Sequence, residues 1–218
     1  MTSIDGQEGL PRTSGPETVP ACRNPSFSSP PRRWAEVTAD ATPVHLVVMG
    51  VSGTGKTTVA LRLQGLLGWP FLEGDSLHPS GNVEKMAAGH PLTDEDRAPW
   101  LRALADWTGA QHAAGSSTVL TCSSLRRRYR DVLTAPAPGT YFVHLVGDPE
   151  LVRSRMQGRQ HYMPPSMLAS QLATLEPLQA DEAGDEFDVV DPPEVIARKV
   201  VQRLGLYPAG AQPGEPSR

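Results

Sequence analysis

The sequence predicts an α/β fold in which a five-stranded, mostly parallel sheet is covered by helices on both faces. Three observations lead there. From residue 44 onward, short apolar runs rich in β-branched residues alternate with segments of helical period. Strands that alternate with helices need crossover connections, the arrangement that makes a sheet parallel and buries both of its faces. A glycine-rich loop also joins the first strand to the first helix, and in such sheets ligands bind at the carboxyl ends of the strands.

The elements follow in order. Residues 44–49 form a buried strand, and 56–67 a helix with Val59, Leu63, Leu66 and Leu67 at helical spacing. Phe71 and Leu72 begin a second strand. A helix covers 94–113, with Leu101, Leu104 and Ala105 on one face and Thr93 as its cap. Pro99 near its first turns allows a start later than Asp94. Residues 118–121 are the third strand, 126–133 a helix and 141–146 the fourth strand. Asp148 caps the next helix and Pro149 opens it, the preferred residue types for those positions. A helix at 167–175, a fifth strand at 187–190 and a closing helix at 194–204 complete the pattern.

Residues 1–42 are rich in Pro, Ser, Thr and Gly and lack either period, so they cannot bury enough apolar surface to offset their ordering entropy. They are expected to be a disordered extension, residues 43–207 the single folded domain and residues 208–218 a flexible tail. The 218 residues carry a formal net charge of −4, which gives no clustered basic surface for nucleic acid. No apolar run approaches the roughly 20 residues that span a bilayer, so no membrane partner is expected. The N-terminus lacks the basic-then-apolar pattern of a secretory signal. Two cysteines without metal-like spacing suit a reducing cytoplasm. Only Lys56, Lys85 and Lys199 occur among the twenty basic residues, so a retained lysine marks a place for a compact ammonium.

The segment Gly50-Val51-Ser52-Gly53-Thr54-Gly55-Lys56-Thr57 matches the P-loop pattern G-x-x-x-x-G-K-[ST] in full, between the strand and the helix that the motif requires. Its glycines let the backbone approach an anion, and successive N–H groups and the helix N-terminus point at phosphate oxygens. Residues Gly50 to Lys56, with Thr57 and Thr58, are the candidate ATP site. Lys56 reaches the β- and γ-phosphates and the Thr57 hydroxyl ligates Mg²⁺. The cradle alone establishes a nucleoside triphosphate. A guanine-reading Asn-Lys-x-Asp is absent, and Asp181-Glu182-Ala183-Gly184 follows no strand, which argues against a GTPase. A mechanical ATPase needs more domains than 218 residues hold, so a small-molecule kinase remains.

Beyond the second strand stands Leu72-Glu73-Gly74-Asp75-Ser76-Leu77-His78-Pro79, then Pro91-Leu92-Thr93-Asp94-Glu95-Asp96-Arg97-Ala98-Pro99-Trp100-Leu101. The third strand ends at Cys122-Ser123-Ser124-Leu125, followed by Arg126-Arg127-Arg128-Tyr129-Arg130-Asp131. With Met49 to Gly53, Gly147-Asp148, His161 to Pro164 and Ser170 to Glu176, these segments resemble the small P-loop gluconokinases over roughly residues 44–204. Glu95 and Ser124 are mild departures from the family pattern.

The resemblance implies ATP:D-gluconate 6-phosphotransfer, a nucleoside-monophosphate-kinase-like fold with a lid, and a homodimer. Asp75, at a strand end beside the cradle, suits proton acceptance from the acceptor hydroxyl, a helix cap, or a place near Mg²⁺. His78 either hydrogen-bonds substrate hydroxyls or is structural. Arg97 and Arg130 are candidates for the gluconate carboxylate, since a guanidinium matches it in bidentate geometry. Arg126 and Arg130 share a helical face and Arg128 points away, so only part of that basic run can face the site. Arg155 and Arg159, with His161 in the lid region, are candidates to act on the transferring phosphoryl group or on substrate, or are surface residues at a helix end. The adenine is expected near residues 191–193. Two rivals stay open: a shikimate-kinase-like enzyme for another small hydroxy-acid, and a nucleotide-binding regulatory protein without turnover.

Overall fold

The structure, a computed structural model, describes residues 42–157 and 167–206. Five parallel strands run in the order β2-β3-β1-β4-β5, with β1 at His45–Met49, β2 at Phe71–Leu72, β3 at Thr118–Thr121, β4 at Thr140–Val146 and β5 at Gly184–Asp188. The helices are α1 (Lys56–Leu67), α2 (Ser80–Ala87), α3 (Asp94–Ala113), α4 (Arg127–Thr134), α5 (Pro149–Gln157), α6 (Met167–Thr174) and α7 (Pro193–Leu204). A 3₁₀ turn at Gly74–Leu77 follows β2.

Strand β1 shows why the fold has three layers. All five of its residues are buried, and their side chains alternate between the two faces. Leu46 and Val48 join Val59 and Leu63 of α1 and Ile196 and Val200 of α7 in one core. Val47 and Met49 join Trp100 and Leu104 of α3 and Leu133 of α4 in the other. With both faces covered, the open space lies at the carboxyl ends of the strands, where the loops after β1, β2 and β3 converge.

The predicted α/β order holds, with differences that have physical causes. Helix α3 starts at Asp94 despite Pro99, because Thr93 and Asp96 form a reciprocal capping box and three acidic residues occupy the first turn. The fifth strand lies at Gly184–Asp188 rather than at 187–190. It is an edge strand paired only with β4, so its backbone bonds hold it while most of its side chains stay accessible, and the apolar-run rule misses it. The 3₁₀ turn and α2 were not expected. Among the eight residues of α2 only two large apolar side chains occur, Val83 and Met86, too few to show a period. Asp148 caps α5 as expected, accepting from the N–H of Glu150 at 2.8 Å and of Leu151 at 3.3 Å.

Candidate active site

The loop after β1 folds into a cradle wedged between α5 and α6. Gly53 has φ 87°, and a Cβ there would stand 2.6 Å from Cγ of Met156 and 3.1 Å from Cγ1 of Val152, so α5 can close on the loop only over a glycine. From the other side, Gln171 of α6 accepts the backbone N–H of Ser52 through its Oε1 at 2.6 Å. Thr54 Oγ1 and Lys56 Nζ both donate to the carbonyl of Val51, at 2.9 and 3.2 Å. Helix α1 begins at Lys56, so its positive end faces the same space. Gly55, Thr57 and Thr58 line this cavity together with Lys56.

The second wall comes from β2. A Cβ on Gly74 would stand 2.0 Å from the Thr121 carbonyl oxygen, so only glycine lets the 3₁₀ turn lie against β3. The Gly74 N–H donates to Thr121 Oγ1 at 3.0 Å, and the Trp100 indole N–H donates to the Gly74 carbonyl at 2.7 Å. These contacts hold Glu73 and Asp75 beside the cradle, where both line the cavity. Thr121 donates its hydroxyl to Glu73 Oε1, while the buried Oε2 has no partner among the described residues.

Arg97 lines the phosphate cavity and also an adjoining one formed by Thr93, Arg126, Tyr129, Ser170 and Gln171. Its guanidinium lies over the Tyr129 ring, 5.7 Å from the centroid. Asp96, next to it in the sequence, has another task. Its carboxylate accepts from Lys85 Nζ at 2.5 Å and from the Thr93 N–H at 2.7 Å. The Lys85 bond, then the Thr93 backbone bond, hold its pKa down at about 2. Asp94 accepts from the Tyr129 hydroxyl and from Arg128, and the Tyr129 bond is the main reason its pKa is lowered.

Two of the residues considered for substrate take other places. Arg130 cannot meet a substrate carboxylate: it is fully buried, its Nε and one terminal nitrogen are paired with Glu182 at 2.5 and 2.8 Å, and its remaining donors go to the carbonyls of Ser124, Glu176 and Pro177. His78 is stacked on Trp100, with centroids 4.1 Å apart, and is absent from the lining of both cavities. Burial pushes its pKa down to about 4, against the opposing pull of Asp75, so near neutrality the ring is uncharged and serves the turn that carries Asp75. Arg155 does border the phosphate cavity, and donates to the Val189 carbonyl at 2.9 Å. Arg159 and His161 lie outside the described residues.

Glu73, Arg126 and Gln171 are site-lining residues that sequence reasoning did not single out. Glu73 carried a signal, a second acid two positions before Asp75 at the same strand end. A further cavity borders Gly55, Thr58, Arg155, Val190, Asp191 and Pro192, between the cradle and the loop after β5 where the base was expected.

Comparison with known proteins bears on the whole domain. The AAA domain family matches residues 46–178. A gluconokinase of Gluconobacter oxydans (strain 621H) is 50% identical over 163 residues, which cover 74% of this chain and 92% of that protein. The chain belongs to the gluconokinase family. Two solved structures agree with that membership. The gluconokinase of Sinorhizobium meliloti 1021 matches with 43% identity and a TM-score of 0.67, over 75% of this chain and 93% of its own. A sugar kinase from Janibacter sp. HTCC2649 matches with 48% identity and a TM-score of 0.74, over 78% and 99%. In this gluconokinase-family chain the matched regions include the cradle, the β2 turn and the basic run of α4.

Proposed function

We propose that the chain transfers the γ-phosphoryl group of ATP to the 6-hydroxyl of D-gluconate, giving 6-phospho-D-gluconate and ADP. The observation that carries this reading is the junction of two cavities. The phosphate cavity adjoins a second one along the shared residues Leu92, Arg97 and Gln171, with Asp75 in the phosphate cavity's own lining. The names of the Gluconobacter and Sinorhizobium relatives supply the acceptor.

In this reading the cradle N–H groups and Lys56 hold the β- and γ-phosphates, and Lys56 leaves the Val51 carbonyl to do so. The base lies beside Asp191 and Pro192. Arg97 and, in the place expected for Arg130, Arg126 face the gluconate carboxylate. Arg126 is only loosely engaged, 3.6 Å from Asp94. The 6-hydroxyl oxygen bonds to the γ-phosphorus while the bond from that phosphorus to the bridging oxygen breaks. ADP leaves with the electron pair, and the hydroxyl proton passes to the Asp75 carboxylate. Arg155 stands close enough to the cradle to share charge on the transferring group, with Arg159 proposed for the same task.

The residues present fit Mg²⁺. Thr57 offers an exposed hydroxyl, and Glu73 and Asp75 offer hard carboxylate oxygens in one cavity. Among the described residues there is no cluster of three His, Cys, Asp or Glu. Thr57, Glu73 and Asp75 would hold the ion together with the nucleotide, and it would supply neutralisation of phosphate charge. The homodimer and the cytoplasm belong to the same proposal; light scattering on the purified chain checks the first.

The test is ADP release with Mg-ATP and a panel of D-gluconate, shikimate, glycerate and no acceptor. Gluconate-dependent release with 6-phosphogluconate as product is expected. Release with another acid alone keeps the cradle and overturns the acceptor. No acceptor-dependent release from a folded, ATP-binding sample overturns the kinase reading.

A further inference from the structure

Gln171 is 119 positions from Ser52 in the chain, yet its side-chain oxygen takes the Ser52 backbone N–H at 2.6 Å in a site closed to solvent. That N–H belongs to the third residue of the phosphate cradle, a group the anion-binding motif ordinarily turns toward phosphate oxygens. Gln171 is itself 8% exposed and borders both the phosphate cavity and the acceptor cavity. The carbonyl of the same peptide unit, that of Val51, already holds Thr54 and Lys56. Both ends of the Val51–Ser52 peptide are therefore tied, the oxygen from within the loop and the N–H by Gln171.

We propose that Gln171 is a positioning residue for transfer to the acceptor: by taking the Ser52 N–H it fixes this peptide at the wall between the two cavities, so that the terminal phosphate and the acceptor hydroxyl meet in line. The inference rests on the kinase reading above and extends it to a residue outside the cradle. Glycine-rich loops have wide backbone freedom, and here packing from Met156 and Val152 restrains only one side of the turn. Without the Gln171 oxygen, the peptide can rotate its N–H toward the cavity. ATP would still be bound by Lys56 and the later N–H groups, but its γ-phosphorus would no longer face the acceptor. Misplacement of that kind penalises transfer to a fixed hydroxyl far more than attack by mobile water. The signature is thus a change in partition between acceptor and water, which a residue that merely supports the fold does not produce.

The experiment compares wild type with Gln171→Met, which keeps the shape and removes the acceptor oxygen, and Gln171→Glu, which keeps an acceptor oxygen. Rates of gluconate-dependent transfer and of acceptor-free ATP hydrolysis are measured on the same folded samples, along with hydrogen exchange at the Ser52 amide. The ratio of transfer to hydrolysis is expected to fall roughly ten- to hundredfold in Gln171→Met, with faster Ser52 exchange, and to recover largely in Gln171→Glu. Should Gln171→Met not fold, Gln171→Asn, which draws the oxygen back by one methylene, takes its place with the same expected ratio. An unchanged ratio with both rates lowered together overturns the proposal, as does unchanged Ser52 exchange. If wild type shows no gluconate-dependent transfer, the acceptor reading fails instead, and the Ser52 exchange comparison still decides the Gln171 contact.

Discussion

Arg130 and Glu182 form an ion pair that solvent does not reach, with two hydrogen bonds of 2.5 and 2.8 Å and relative exposures of 0% and 4% for the two side chains. Its remaining donors tie α4 to the carbonyl of Ser124 at the end of β3 and to those of Glu176 and Pro177 past α6. The pair is a joint in the frame that holds the acceptor cavity. Arg130→Met should leave Glu182 buried without its partner and cost about 3–5 kcal/mol of stability. Thermal melts read this directly. A stable variant with a raised KM for gluconate alone would return Arg130 to the substrate.

Arg97 behaves in the opposite way. It is half-buried and borders both cavities, and its guanidinium lies over the Tyr129 ring. Arg97→Ala should raise KM for gluconate by one to two orders of magnitude, corresponding to roughly 1.5–3 kcal/mol for hydrogen bonds to a charged group. The Kd for ATP should stay within about threefold, and Tm should fall only slightly. A weakened ATP affinity with unchanged gluconate KM would move Arg97 to the phosphate side.

Lys56 donates to the Val51 carbonyl, the one hydrogen bond of its ammonium among the described residues. Lys56→Ala should therefore melt near the wild-type temperature while kcat falls by roughly 10²–10³, the range for removing one group that stabilises developing charge. Turnover near wild type would separate the cradle from catalysis.

Asp75 sits on a turn held by the Gly74 N–H bond to Thr121 and by the Trp100 indole bond to the Gly74 carbonyl. Asp75→Asn should keep that turn and lower kcat by about 10²–10⁴, as expected for loss of a positioned base, with ATP binding little altered. Isothermal titration with ATP beside steady-state kinetics separates the two effects.

What could be read from the sequence was local. The cradle, the Thr93 cap and the Asp148 cap each depend on residues within a few positions, so their spacing was enough. The role of Arg130 depends on Glu182, 52 positions away, and helical periodicity placed Arg126 and Arg130 on one face although Arg126 precedes α4 with an extended backbone. A greater distance hid Gln171, whose partner lies 119 positions earlier. For His78 the sequence left a substrate contact and a structural role both open, because its stacking partner Trp100 belongs to α3, far along the chain. The edge position of β5 hid its register, since only a buried strand must be apolar.

Buried histidines make acid stability a test of the fold. His45 lies at 0% exposure between Thr118 Oγ1 at 2.9 Å and His112 Nδ1 at 3.0 Å. Burial, and then the neighbouring His112, lower its pKa from 6.5 to about 4; His78 is lowered to about 4 mainly by burial. In the unfolded chain both rings take up a proton near pH 6.5, whereas in the folded chain they stay neutral until about pH 4. Between those values the unfolded state binds more protons, so stability is fully present above about pH 6.5 and falls as the pH drops toward 4. Urea unfolding at pH 7.0 and 5.0 (chosen as roughly bracketing this window) should show the loss, and His45→Gln should flatten the dependence by one proton's share. Equal pH slopes in wild type and His45→Gln would mean that His45 is not held neutral in the native protein.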